Sequence, residues 1–238
     1  MATAHVGTSG WAYTTWKPKF YPAETKTKDL LRHYATKLAT VEVNYTFNHL
    51  PTARSIAEWQ AATPEDFLFA LKASQFITHV DQLRHPADTL PRFLDAAAPL
   101  GARLGPVLFQ TPPWLKRNDD LLAGFVASLP DGQRFALEVR DASWYVPETY
   151  EILASRGVAL VHAEGERTPS PLESLGATAG FSYVRLRDRN GYPDDAVDRW
   201  AARARQLLEG GRDVYAYFRH DDDGANGLSA LHLKQALA

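Results

Sequence analysis

The sequence contains no cysteine. This excludes disulfides, a thiolate nucleophile and thiolate-bound zinc or iron–sulfur centres. It also lacks an excess of either charge: 26 Lys and Arg stand against 28 Asp and Glu, a formal net charge of −2. No broad basic field is available to hold nucleic acid irrespective of its sequence, so such binding would have to come from a local pocket. No window approaches the roughly 18 apolar residues that a membrane helix needs, and Met1 to Val6 carries no basic segment followed by an apolar one. A cytoplasmic protein with no membrane partner is expected. No Gly-rich phosphate loop follows any strand, neither Ser9 nor Ser143 sits in a GxSxG elbow, and no HxH or HExxH spacing occurs.

What is present is an ordinary globular composition over 238 residues, with 45% hydrophobic and 23% charged residues and six Trp. That length suits one large α/β domain spanning residues 1–238. Eight apolar runs read as strands: His5 to Gly10, Thr40 to Tyr45, Phe67 to Lys72, Gly105 to Gln110, Phe135 to Arg140, Val158 to Ala163, Phe181 to Arg187 and Asp213 to Arg219. Helical spacing recurs between them over Lys28–Ala39, Leu90–Leu100, Leu121–Leu129, Pro147–Leu153, Ala196–Leu208 and Leu228–Leu237, and Pro51 opens a further helix. Units of roughly 30 residues match the length of a βαβ step, so the expected fold is a (β/α)8 TIM-type barrel. Thr168 to Ala179 has room for little more than one helical turn, and the barrel is expected to be irregular there, between the sixth and seventh strands.

In such a barrel the site forms where the strands end. Alternation along Phe135–Arg140 puts Phe135, Leu137 and Val139 on one face and Ala136, Glu138 and Arg140 on the other. The remaining strand ends supply Glu42 and Asn44, Lys72, Gln110, His162, Arg185 with Arg187, and Arg219. Some of these charges could merely neutralise one another, as layer-capping ion pairs do. Taken together they leave cations in excess inside an aromatic wall, which suits a phosphate or carboxylate group held by arginine forks. Glu42 and Glu138 are then the acid/base candidates, and Lys72 a charge stabiliser or, with its pKa lowered, an amine nucleophile. Trp11 and Tyr13 lie in a Pro-bounded aromatic loop that either packs over the core or lines the pocket. Glu42, Glu138, His79, His162, His220 and Asp221 offer metal-type atoms, but the neighbouring cations oppose a divalent ion, so neither a metal nor a cofactor is expected. His220-Asp221-Asp222-Asp223-Gly224 resembles a hard-cation loop, yet acids ahead of a helix ordinarily cap it; Asp221 stays a candidate because it follows the eighth strand directly.

Several separated motifs carry a resemblance. They are Gly7-Thr8-Ser9-Gly10-Trp11-x-Tyr13-x-x-Trp16, Glu42-Val43-Asn44-Tyr45-Thr46-Phe47, Phe69-x-x-Lys72 with Thr78-His79, Gln110-x-Pro112-Pro113, Glu138-x-Arg140-x-x-Ser143-Trp144 and Tyr183-Val184-Arg185. In this order they resemble the domain-of-unknown-function family 72, the YecE-like proteins, over nearly the whole chain. The resemblance implies a TIM-type barrel, with Trp11, Glu42, Asn44, Lys72, His79, Gln110, Glu138, Arg140, Trp144 and Arg185 as shared rim positions. This chain departs from the family at Arg219-His220, where Asn-Asn is usual, and at Arg187-Asp188, where His-Gly is usual, so its ligand is expected to differ. The expected function is an enzyme binding a small anionic or nucleotide-like molecule at the rim, with Trp11 and Trp144 as stacking walls. The alternatives are a metal-dependent nuclease or repair enzyme, by likeness of fold to apurinic endonucleases, and a module that binds the anion without chemistry.

Overall fold

A computed structural model describes residues 1–165, 170–189 and 191–238. Strands and helices alternate as β1 (Ala4–Thr8), α1 (Leu30–Ala35), β2 (Thr40–Val43), α2 (Ala53–Ala62), β3 (Leu68–Lys72), α3 (Pro86–Ala97), β4 (Leu104–Gln110), α4 (Asp119–Ala127) and β5 (Phe135–Glu138). They continue with α5 (Pro147–Ala154), β6 (Ala159–Leu160), β7 (His162–Glu164), β8 (Phe181–Leu186), α6 (Asp194–Glu209), β9 (Asp213–Phe218) and α7 (Ala225–Ala236). Local chemistry sets several boundaries. Thr52 and Ser55 form a reciprocal capping box at α2, the Asn118 side chain accepts from Leu121 N–H at α4, and proline opens α3 and α5.

All strand pairing is parallel, in a five-stranded sheet ordered β2-β3-β4-β5-β6 and a four-stranded sheet ordered β1-β9-β8-β7. The expected sixth strand is therefore split at Val161, its first part pairing with β5 and its second with β8. Hydroxyl groups take over where ladder bonds stop. Thr178 Oγ1 accepts from Leu160 N–H and donates to Val158 O, and Ser170 Oγ accepts from Ala163 N–H and donates to Val161 O. Of the connection expected to be irregular, Thr168 and Pro169 lie outside the described residues; the rest holds one short turn, Leu172–Ser174.

The other junction between the sheets lies at β1 and β2. A Cβ on Gly7 would stand 2.2 Å from Thr40 O, so only glycine lets the strands approach this closely. The Tyr34 hydroxyl sits in the gap, accepting from Thr8 N–H at 2.9 Å and donating to Thr40 O at 2.9 Å. Just beyond it Ser9 bridges Glu42, and Gly10, with φ +93°, donates its N–H to Glu42 O at 2.9 Å.

Each strand buries both faces, as parallel sheets require. Phe69 and Leu71 of β3 pack under the helices, while Ala70 joins a separate inner cluster. There Ala70, Ala136 and Ala159 of the five-stranded sheet leave room for Tyr183, Tyr215 and Tyr217 of the other, small residues facing rings. At the amino-terminal ends of the strands His5 stacks on Tyr215 at 4.5 Å, and Arg134 lies over Tyr215 and pairs with Asp213 at 2.7 Å. No described helix is long and apolar enough to cross a membrane.

Candidate functional site

At the carboxyl-terminal ends of the strands the inner faces close in ionised side chains. Glu42, Glu138 and Arg185 are 0%, 1% and 1% exposed. Charges this dry persist only with partners, and Arg185 is the common one. Its Nη2 and Nε donate to Glu42 Oε1 and Oε2 at 2.8 and 2.9 Å, a two-pronged fork, and its Nη1 donates to Glu138 Oε2. Because Arg185 stands on the four-stranded sheet and both carboxylates on the other, these bonds also tie the sheets together.

Glu42 accepts two further bonds, from Ser9 Oγ at 2.7 Å and Tyr183 OH at 2.8 Å. Four donors fill the four lone-pair positions of a carboxylate, so none is left to take a proton from a substrate. Burial pushes its carboxyl up, but Arg185 and Arg187 more than offset this and hold it below the usual carboxylate range. Glu138 behaves alike: burial opposes ionisation, and Arg185 and Arg140 outweigh it to keep the group well below the ordinary value. Both glutamates, expected as acid/base groups, here accept from the Arg185 guanidinium and are held in the ionised form.

The exception is Lys72. Glu138 Oε1 accepts from Gln110 Nε2 at 2.7 Å, which turns Gln110 Oε1 toward Lys72 Nζ at 2.8 Å. The amine also lies 4.0 Å from the centre of the Phe47 ring. Burial, then the charge of Arg185, lowers its pKa to about 7. Within the cluster it is therefore the amine, not a carboxylate, that changes charge near neutrality.

Of the other expected positions, Arg140 joins the network through Nε to Glu138 Oε1 at 3.0 Å, with 29% of its side chain exposed. His79 stands edge-on to Phe47 at 5.0 Å and to Trp114 at 6.1 Å; its pKa is lowered by burial and by Lys72 and Arg140. Trp11, Tyr13 and Asn44 line a neighbouring cleft of about 310 Å3 that also touches Tyr45 and Trp59 but does not include Lys72. Tyr13 donates to Ser9 O and stacks on His220 at 4.9 Å, and burial raises its pKa to about 12.

Two expectations are corrected. Trp144 is 1% exposed and its indole N–H donates to Leu115 O at 2.8 Å, so it packs in the core beneath the rim and is no stacking wall. The Asp221 carboxylate accepts from Gly224 and Asn226 N–H at the start of α7, the helix-capping arrangement. Ser9, Phe47 and Tyr183 are not among the residues expected at the rim, yet all belong to this end, and Arg187, expected there, donates from Nη1 to Ser9 Oγ at 2.9 Å. The signal for Tyr183 was its place two residues before Arg185 on one strand, hence on the same face. Among the described residues no group of three His, Asp or Glu side chains is placed to hold a metal ion.

The family model for "Protein of unknown function DUF72" matches residues 5–238. The chain is 31% identical over 269 aligned residues to the UPF0759 protein YunF of Bacillus subtilis, covering 96% of this chain and 94% of that protein. It is 32% identical over 129 residues to the UPF0759 protein YecE of Escherichia coli K12, covering 54% of this chain and 47% of that one. A crystal structure of a DUF72 family protein from Thermotoga maritima is similar at a TM-score of 0.86 and 26% identity, covering 99% of both chains. Family match, relatives and shared architecture agree, and the chain belongs to the DUF72 family.

Proposed function

We propose that the chain is a single-domain enzyme that binds a small phosphate- or carboxylate-bearing molecule at the carboxyl-terminal rim of a (β/α)8 barrel, with Lys72 as its proton-transfer group. The barrel is supported by the single residue separating β6 from β7 and by the Ser9–Glu42 bridge between the sheet edges. The observation that carries the function is the lowered pKa of Lys72, about 7, beside Arg185 and Arg140. A group titrating near working pH suits general acid–base chemistry, and in the network around Arg185 three guanidiniums and one amine stand against the carboxylates of Glu42 and Glu138. Trp11, Tyr13 and Asn44 in the adjacent cleft are proposed to hold the uncharged part of the ligand, and His79 its edge nearest Lys72.

Thermal unfolding against phosphorylated sugars, nucleotides, carboxylates, short oligonucleotides and divalent metals tests this, on the native protein and on Arg140→Ala and Lys72→Ala. One anionic class is expected to raise the midpoint by mass action, and both variants to lose that rise. A rise with a divalent metal and none with any anion overturns the reading and brings forward the nuclease alternative. A bound anion that is recovered unchanged after long incubation, from every compound that binds, favours the non-catalytic module.

A further inference from the structure

We propose that Lys72 is a nucleophile that forms an imine with a small aldehyde or ketone bearing a phosphate or carboxylate group. The proposal rests on the anion-binding reading above and adds to it the reacting functional group of the ligand.

Two features of the geometry carry it, and the electrostatics supports them. First, among the described residues the amine has one hydrogen-bond acceptor. Gln110 accepts from Lys72 Nζ at 2.8 Å, and its own orientation is set because its Nε2 donates to Glu138 at 2.7 Å. An uncharged amine that donates to Gln110 keeps its lone pair directed elsewhere, as attack on a carbonyl carbon requires. The setting favours that uncharged form: burial and then Arg185 bring the pKa to about 7, with Arg140 acting in the same direction. Second, the walls suit the product. The Phe47 ring lies 4.0 Å from Nζ, followed by His79 and then Trp114, which is 63% exposed. These rings can cover the body of a carbonyl compound while the partly exposed Arg140 meets its anionic group.

Proton transfer alone does not account for all of this. An acid–base lysine is served by any partner that sets its pKa, whereas here one side is fixed and the other walled by rings. The step balances without a further reactant. The Nζ lone pair forms a bond to the carbonyl carbon as the C=O π pair moves to oxygen. The two hydrogens of the neutral amine then leave with that oxygen as one water, and the carbon–nitrogen double bond remains.

The test is reductive trapping of the full-length protein. It is incubated with pyruvate, glyoxylate, glyceraldehyde 3-phosphate or pyridoxal 5′-phosphate, reduced with borohydride, and mapped by peptide mass spectrometry. One adduct on Lys72 is expected with at least one of these compounds, absent in Lys72→Met. Labelling should rise with pH through about 7, the value of this amine, and not follow the ordinary lysine value of 10.5. An uncharged analogue such as propanal or pyridoxal should label Lys72 at least about tenfold less, because it forfeits a charge-assisted hydrogen bond. Thermal unfolding of Lys72→Met, run in parallel, confirms that the variant folds. Adducts confined to exposed lysines such as Lys26 and Lys28, and unchanged in Lys72→Met, overturn the proposal. Absence of an adduct while an anion still raises the unfolding midpoint overturns the imine and leaves the anion site standing. If neither adduct nor midpoint shift is seen, both fall.

Discussion

The strands carry an arginine–carboxylate pair at each end, and the two pairs live in different media. At the amino-terminal end Arg134 meets Asp213 at 2.7 Å, with side chains 46% and 20% exposed. At the carboxyl-terminal end Arg185 meets Glu42 at 2.8 Å, with side chains 1% and 0% exposed. The atoms in contact are the same. Water screens the first pair and lets either partner be lost cheaply, while the second has no solvent to fall back on, so each partner depends on the others. A chain needing only a plug for its core could have used the first arrangement twice. The buried, cation-rich version is the end at which the proposed ligand would be held without competition from water.

The largest expected effect comes from breaking the dry pair at its shared member. Arg185→Met leaves Glu42 and Glu138 without their principal counterion and should cost about 3–5 kcal/mol. For a chain of this size that is a fall of about 6–20 °C in the midpoint of thermal unfolding. Glu138→Gln keeps the shape but removes a charge, and should cost about 1–3 kcal/mol at neutral pH in urea unfolding. Its pH dependence gives a second reading. The folded carboxyl lies well below the ordinary 4.5, so its contribution is present above 4.5 and is lost as pH falls through the folded value. The native protein should therefore lose stability below about pH 4.5 more steeply than the variant, by up to about 1.4 kcal/mol per pH unit.

Lys72→Met sharpens the contrast with the opposite sign. The folded amine titrates near 7 and the unfolded one at 10.5. Between those values the unfolded state binds more protons, so native stability rises with pH across that window, and below 7 the cost of burying the cation is felt in full. The variant should thus unfold a few degrees higher than the native protein at pH 6, with the gain shrinking toward pH 10; a gain that grows with pH would refute the assignment. The smallest effect belongs to the wet end, where Arg134→Met should change stability by less than about 1 kcal/mol in the same urea experiment.

Alternation puts Glu42 and Glu138 on the inward face of their strands, and the ends of apolar runs put Lys72, Gln110 and Arg185 at the same rim. It could not tell which of them satisfy one another. Glu42 meets Tyr183 and Arg185 across 141 and 143 residues of sequence, and no local pattern encodes such a pairing. Trp144 misled for the same reason: an aromatic just past a strand end looks available until Leu115 O, 29 residues away, accepts its indole N–H. The break at Val161 was hidden too, since a run of apolar residues reads alike whether or not its ladder changes partner. Asp221, by contrast, is legible as a helix cap from the sequence, because capping is chemistry between neighbours.

The order of strands in the two sheets has a consequence for a chain still being synthesised. The five-stranded sheet joins consecutive strands, and its last member ends at Leu160. Each of its pairings becomes available soon after its second strand emerges. β1 pairs with β9 instead, so that Ala4 finds Val214 and Thr8 finds Phe218 only once some two hundred further residues have been made. Of the strands in the two sheets β1 therefore waits longest for its ladder, and until then its edge is open to other chains. A pause in synthesis ahead of β9 would prolong that exposure, whereas a pause after it would not.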